Sequence, residues 1–276
     1  LTNLNKESIL DVQLGDQVQK EMSILFSDIR SFTSLSESMS PEENFRFVNK
    51  YLSKMGPIVR DNHGYIDKYI GDSIMALFDR SPEDAVHTSV KMLDALRVYN
   101  KERIQEGNNP ILIGIGVNTG KMMLGTLGES DRMEGSVISD AVNLAARLEG
   151  LTKLYKTPLL LSEETLLKIG DSIFDTRLID KVAVKGKENP VMVYEVLNGE
   201  YTDLRDAKIS TLPKFKKGFE LYQNQQFKNA LEFFKTCIEK VPEDGVAELY
   251  IERCEKLISN GWDTEKWDGI NYMDAK

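Results

Sequence analysis

Residues 65–78 read YIDKYIGDSIMALF. Tyr65 to Ile70 and Ser73 to Phe78 are short runs rich in β-branched and aromatic residues, and Gly71-Asp72 between them is a hairpin signal. Asp72 is therefore expected in a tight turn between two strands. Upstream, residues 21–28 (EMSILFSD) form an apolar run bounded by charges, the pattern of a buried strand, and that strand runs out on a second carboxylate, Asp28. If the strands are neighbours in one sheet, both carboxylates meet at one edge. Such a pair can hold two Mg²⁺ ions, which take hard oxygen ligands and keep water and phosphate oxygens in their shell. An unrelated surface aspartate and a turn aspartate fit the same letters.

Outward from this hairpin the chain alternates strands and helices. Ser40-Pro41-Glu42-Glu43 supplies an N-cap, a proline at the first helical position and a capping-box glutamate. The helix it opens carries Phe45, Val48, Tyr51, Leu52 and Met55 at helical spacing, and His63-Gly64 ends it. Ser81-Pro82 with Asp84 starts a second long helix through Arg103. Ile111 to Asn118 and Lys121 to Leu127 read as another hairpin around Thr119-Gly120, and a helix follows from Asp140 to Tyr155. Short strands are expected at Pro158 to Leu161, Val182 to Lys185 and Val191 to Leu197. The order βα-ββ-αβ is that of an α+β, ferredoxin-like βαββαβ sandwich with extra strands.

After Leu197 the strand signals stop. Residues 198–211 read as a polar linker. Residues 212–276 read as a small helical appendage whose middle helix carries Phe227, Ala230, Leu231, Phe234, Cys237, Ile238 and Val241 on one face. Lys217-Gly218, Leu221-Tyr222, Phe227, Ala230, Phe233 and Pro242 resemble one tetratricopeptide unit. One such unit cannot bury its own face, so it is expected to pack on the main domain or on a second chain.

Composition narrows the function. The 276 residues carry a net charge of −9, which disfavours a general nucleic-acid binder because phosphate binding needs a basic face. Cys237 and Cys254 lie in apolar helical patterns and read as packing residues rather than a disulfide, which points to the cytoplasm. His63 and His87 have no metal-ligand spacing. No apolar run approaches a membrane span. The chain opens on Leu1 rather than Met. Residues 1–20 are thus expected to be the end of a coupling segment, with a sensor or membrane domain upstream.

Four separated stretches then fall in one order and spacing: residues 26–33 (FSDIRSFT), 68–72 (KYIGD), 142–147 (VNLAAR) and 184–187 (VKGK). Together they resemble the catalytic domains of class III nucleotidyl cyclases, over residues 21–197. The resemblance implies that Asp28, Asp72 and the backbone carbonyl of Ile29 bind two Mg²⁺, with Mn²⁺ as a substitute. It places Asn143 on the ribose, Arg147 on the pentavalent phosphorus and Lys185 on the terminal phosphates. Phe32 and Thr33 close the first motif on the substrate side. Asn143 and Arg147 stand four apart on a helix, hence on one face.

Base choice is implied at two positions. Lys68 stands where adenylate cyclases carry lysine and guanylate cyclases glutamate. Adenine N1 accepts a hydrogen bond and suits an ammonium, whereas guanine N1–H donates and needs a carboxylate. Seven residues before Asn143, Ser136 replaces the aspartate or threonine common in adenylate cyclases, and its hydroxyl still accepts from the adenine amino group. Forms without that aspartate include bicarbonate-responsive members, so stimulation by bicarbonate is a further expectation. Ser139 replaces the usual glycine before Asp140. The implied reaction is attack of the ATP 3′-hydroxyl on the α-phosphorus, giving cyclic AMP and pyrophosphate for signal transduction. In family members the metal aspartates come from one protomer and the base, ribose and phosphorus contacts from the other. A head-to-tail homodimer with two complete sites is therefore expected. The competing readings are a guanylate cyclase, disfavoured by Lys68; a diguanylate cyclase or polymerase relative, whose Gly-Gly-acid-acid-Phe hairpin is absent; and an inactive cyclase domain used as a nucleotide sensor or docking module.

Overall fold

The structure is a computed structural model that describes residues 15, 17–129, 132–170, 173–183, 189–265 and 267–272. Its centre is β1 (Gln17–Ile29), whose second half, from Met22 on, is buried or half-buried. β1 lies antiparallel between β3 (Ser73–Phe78) and β4 (Ile113–Glu129). β2 (Gly64–Ile70) flanks β3 on the outside. Beyond β4 the sheet continues through β6 (Leu159–Ser162), β8 (Val191–Val196), β7 (Thr176–Ala183) and β9 (Asn271–Tyr272), while β5 (Arg132–Ile138) pairs with the far half of β4.

Strand alternation assigns two faces. Leu25 and Ile29 point into a core built with α2 (Pro41–Asp61) and α3 (Pro82–Gln105). The capping box expected at Ser40 and Glu43 is formed, with Glu43 N donating to Ser40 Oγ and Ser40 N to Glu43 Oε2. On α2 the buried stripe is Phe47, Tyr51, Met55 and Val59, whereas Phe45 faces out. Met22 and Ile24 point to the opposite face, where they meet Met75, Met122 and the helix α4 (Asp140–Leu154) through Ala141 and Ala145. Phe26 and Asp28 continue that second alternation.

Two expectations fail. Thr119-Gly120 is no turn: β4 runs straight through it, and the hairpin to β5 lies ten residues later. Gly120 serves packing instead, since a Cβ there would stand 2.9 Å from Ala141 Cβ. Residues 198–211 are not a linker. A short 3₁₀ turn, Leu197–Gly199, leads into α6 (Thr202–Gln223), a single helix that includes the expected linker and the start of the appendage. Pairing explains the misreading: polar Lys208 is buried because Glu195 and Glu200 meet its ammonium at 2.8 and 2.6 Å.

The helices α6, α7 (Phe227–Lys240) and α8 (Gly245–Asn260) pack on α4 and β7. Phe215, Phe219, Phe234 and Tyr250 share a core with Leu148 and Tyr155 of the α4 region and Ile179 of β7. Cys237 and Cys254 are free thiols within this core. Buried charges close the seam. Arg177 meets Glu195 on one side and Asp244 on the other, at 2.5 and 2.6 Å. No described helix is long and apolar enough to cross a membrane.

Candidate active site

The two carboxylates singled out in the sequence meet at one end of the central strands. Ile70 pairs with Ser73 across the turn, and Gly71 takes φ +64°, a left-handed conformation that suits glycine. This turn brings Asp72 back over the end of β1, where the backbone N–H of Ile29 donates to Asp72 Oδ2 at 3.0 Å. Ser73 Oγ donates to Asp28 Oδ1 at 2.7 Å. Asp72 is only 7% exposed. Burial, then its hydrogen bond to and the charge of Asp28, push its carboxyl up to about 7, against the opposing bond from Ile29 N–H. Two acids in one partly dry space disfavour double ionisation, and a cation relieves that conflict.

A third acid lies beside them that the motif reading passed over. Asp28 is paired in register with Gly114 of β4, so both positions face the same side of the sheet. A Cβ on Gly114 would come within 2.7 Å of Glu149 Oε1. The Glu149 carboxylate thus rests on the bare backbone next to Asp28. Burial first, and then the charge of Asp28, raise Glu149 to about 7, while Arg30 opposes the shift. Arg30 also ties the end of β1 to the end of α4 and the residues just after it, donating to the carbonyls of Thr152 at 3.0 Å and Thr157 at 2.6 Å. The sequence signal for Glu149 was its place two residues after Arg147, but only the register of β1 with β4 gives that spacing a meaning.

The helix α4 is laid directly on β4 by glycine. A Cβ on Gly116 would stand 2.2 Å from the backbone N of Glu149. Its start is fixed by Ser139, which accepts from Ala141 N at 3.0 Å and donates to the Lys121 carbonyl at 2.6 Å. Serine at this position is therefore a helix cap, with extended backbone that any residue adopts. With Leu144, Ala145 and Leu148 turned to the core, Asn143 and Arg147 share the exposed side of the helix. Glu149, turned about 200° from Arg147, points back to the sheet.

The remaining expected residues are more dispersed. Lys68 lies on β2 opposite Met75, on the face shared with Asp28, and its side chain is 41% exposed. Ser136 is half-buried on β5, paired with Gly125. Phe32 opens α1 (Phe32–Glu37) and stacks on Phe47 at 6.3 Å, so it packs against the core, while Thr33 beside it is exposed. Lys185 lies outside the described residues.

The donor set fits a divalent cation: carboxylate and carbonyl oxygens, with two acids whose repulsion a cation removes. Among the described residues no group of three or more His, Cys, Asp or Glu side chains is arranged to share one ion. A paired-carboxylate site of this kind leaves room for water and phosphate oxygens, as Mg²⁺ prefers.

Comparison with known proteins places these features. Residues 14–198 match the family model described as the adenylate and guanylate cyclase catalytic domain. The chain is 40% identical over 251 residues to the terminal-differentiation-specific adenylate cyclase of Dictyostelium discoideum, covering 88% of this chain and 12% of that protein. It is 44% identical over 197 residues to an adenylate cyclase of Anabaena cylindrica, covering 69% of this chain and 39% of that one. The chain thus spans well under half the length of these relatives. Among solved structures, the adenylyl cyclase CyaB from P. aeruginosa is 33% identical with a TM-score of 0.60, over 65% of this chain and 95% of the other. A guanylyl cyclase structure is 34% identical with a TM-score of 0.58, over 67% and 94%. With the paired aspartates, the glycine-seated helix and a family match over most of its length, the chain belongs to the adenylate and guanylate cyclase catalytic domain family.

Proposed function

We propose that the chain is an adenylate cyclase that converts ATP to 3′,5′-cyclic AMP and pyrophosphate. The observation that carries this reading is the Asp28–Asp72 pair at one sheet end, with Lys68 four residues before Asp72 on the same hairpin. The two solved structures do not choose the base, an adenylyl cyclase at 33% and a guanylyl cyclase at 34% identity, whereas the sequence relatives at 40% and 44% identity are adenylate cyclases. Lys68 does choose. Its ammonium donates to adenine N1, whereas guanine N1–H would face a second donor and lose its partner.

The Asp28 and Asp72 carboxylates and the Ile29 carbonyl would hold the divalent cations, Mg²⁺ or Mn²⁺. Such cations supply positive charge to the 3′-hydroxyl as it loses its proton and to the departing pyrophosphate. The 3′-oxygen attacks the α-phosphorus in line, so no protein nucleophile is required. Asn143 fixes the ribose, and Arg147 neutralises charge that grows on the phosphorus oxygens. Ser136 accepts from the adenine amino group. Lys185, with Phe32 and Thr33 at the start of α1, serves the triphosphate. The acidic chain needs these local cations, because ATP itself brings about four negative charges.

Asn143 and Arg147 are displayed on the outside of the protomer. That placement supports a head-to-tail dimer in which they complete the partner's metal half-site, and two copies make two sites.

The test is product identification from the purified chain given ATP or GTP with Mg²⁺ or Mn²⁺, beside Asp72→Ala. The expected result is cyclic AMP and pyrophosphate from ATP, lost in the variant. Cyclic GMP as the main product would overturn the base assignment, and no product in either metal from a verified dimer would overturn the reaction.

A further inference from the structure

Lys68 does not sit in a regular strand. β2 and β3 pair in register from Gly64 opposite Phe78 to Ile66 opposite Ala76, and the pairing resumes with Lys68 opposite Met75. Asp67 is therefore one residue too many, a β-bulge. In an unbroken strand residues 67 and 68 would project to opposite faces and their side chains could not meet. Here the Lys68 ammonium lies 3.3 Å from Asp67 Oδ2.

The two ends of this pair differ. The Asp67 side chain is 12% exposed and that of Lys68 41%. Asp67 Oδ2 is itself buried and accepts no hydrogen bond among the described residues. Tyr65 reports the same location: burial, and then the charges of Asp79 and Asp67, push its hydroxyl well above its usual range. Tyr65 packs with Met75 on the sheet face that also carries Asp28. A buried carboxylate oxygen without a hydrogen-bond donor is unfavourable, and natural structures rarely leave one without a reason. A bulge that brings it beside a lysine is likewise a placed feature, often one that re-aims a side chain.

We propose that Asp67 is a positioning residue for base selection: the bulge sets its buried carboxylate behind Lys68, and the carboxylate holds the ammonium toward the purine edge. Lysine has a flexible four-carbon stem and no directional fork, so a single hydrogen bond to N1 is selective only if the ammonium is held in place. Anchored, it meets an acceptor at N1 and repels a donor. Unanchored, it swings aside and the donor is no longer penalised. This inference rests on reading Lys68 as the residue that meets the base.

The test compares Asp67→Asn with the parent chain, using kcat/KM for ATP and for GTP. It also measures binding of 3′-deoxy-ATP and 3′-deoxy-GTP, which lack the reacting hydroxyl. Asparagine keeps size and removes the charge. The expected result is an ATP-to-GTP ratio lowered about tenfold, mostly through ATP, with dimerisation and melting temperature unchanged. The binding ratio should shift in the same direction, and Asp67→Glu should recover part of it. Should Asp67→Asn fail to fold, Asp67→Ser gives the same reading with a smaller side chain. Equal losses for ATP and GTP, or an unchanged ratio, would overturn the proposal. If the parent chain makes no cyclic nucleotide, the reaction assignment falls, and the deoxynucleotide binding ratio still decides the role of Asp67.

Discussion

Two of the clusters of ionisable side chains in this protein are compensated to different degrees. At the seam with the helical appendage, Arg177 and Lys208 face Glu195, Asp244 and Glu200, and nearly every contact is a direct ion pair. Burial pushes Glu195 up, but Arg177 and Lys208 override it and hold the carboxyl at about 2. At the end of the central strands Asp28, Asp72 and Glu149 gather, and Arg30, the cation beside Glu149, spends its hydrogen bonds on the backbone carbonyls of Thr152 and Thr157. There Asp72 and Glu149 both rise to about 7. The seam sets two cations against three acids, each acid in a direct ion pair, whereas the strand end gathers three acids around a single nearby arginine. Function is to be sought where the protein leaves charge uncompensated, because divalent cations can complete that balance.

This contrast fixes the sign of two substitutions. Arg177→Ala would leave Glu195 and Asp244 buried beside too little positive charge. We expect a loss of about 3–5 kcal/mol, read as a melting temperature lower by roughly 10 °C. Asp72→Asn should do the reverse, raising the stability of the cation-free chain near neutral pH by on the order of 1 kcal/mol while lowering cyclase turnover at least about 100-fold. A destabilised Asp72→Asn, or an indifferent Arg177→Ala, would erase the distinction.

The same contrast sets a pH profile. Glu195 is depressed, so its contribution is present above the unfolded carboxylate range and is lost as pH falls toward 2. Asp72 and Glu149 are raised, so between about pH 4 and 7 the folded chain holds protons that the unfolded chain has released, and stability falls as pH rises. Denaturant melts without divalent cations should peak near pH 4–5 and decline toward 7. Adding Mg²⁺ should flatten the decline, and Asp72→Asn should remove part of it. A smaller effect tests the helix seat: Gly116→Ala must displace α4, costing about 1–3 kcal/mol and lowering turnover by moving Arg147.

Much of this was legible in the letters. The buried strand ending at Asp28, the Gly71-Asp72 hairpin and the proline-capped helices follow from periodicity and turn chemistry alone. The misses share one cause, a residue whose local preference was overruled by something distant in sequence. Thr119-Gly120 carries a turn signature, yet that glycine admits Ala141 of α4. Residues 202–211 look polar enough for a linker, yet Lys208 is drawn inside by Glu195 and Glu200. Glu149 and Asp67 escaped notice for the same reason. One depends on the register of β1 with β4 and the other on a bulge in β2, and neither is written in local spacing.

In the proposed dimer, Asp28 and Asp72 of one protomer work with Asn143 and Arg147 of the other. Asp72→Asn and Arg147→Ala chains, each inactive alone, should be mixed and allowed to exchange subunits, with mixed dimers confirmed by differential tags. One site in each mixed dimer is then intact, so activity should return to about a quarter of the parent level at equal mixing. Mixed dimers no more active than either variant would contradict the shared site.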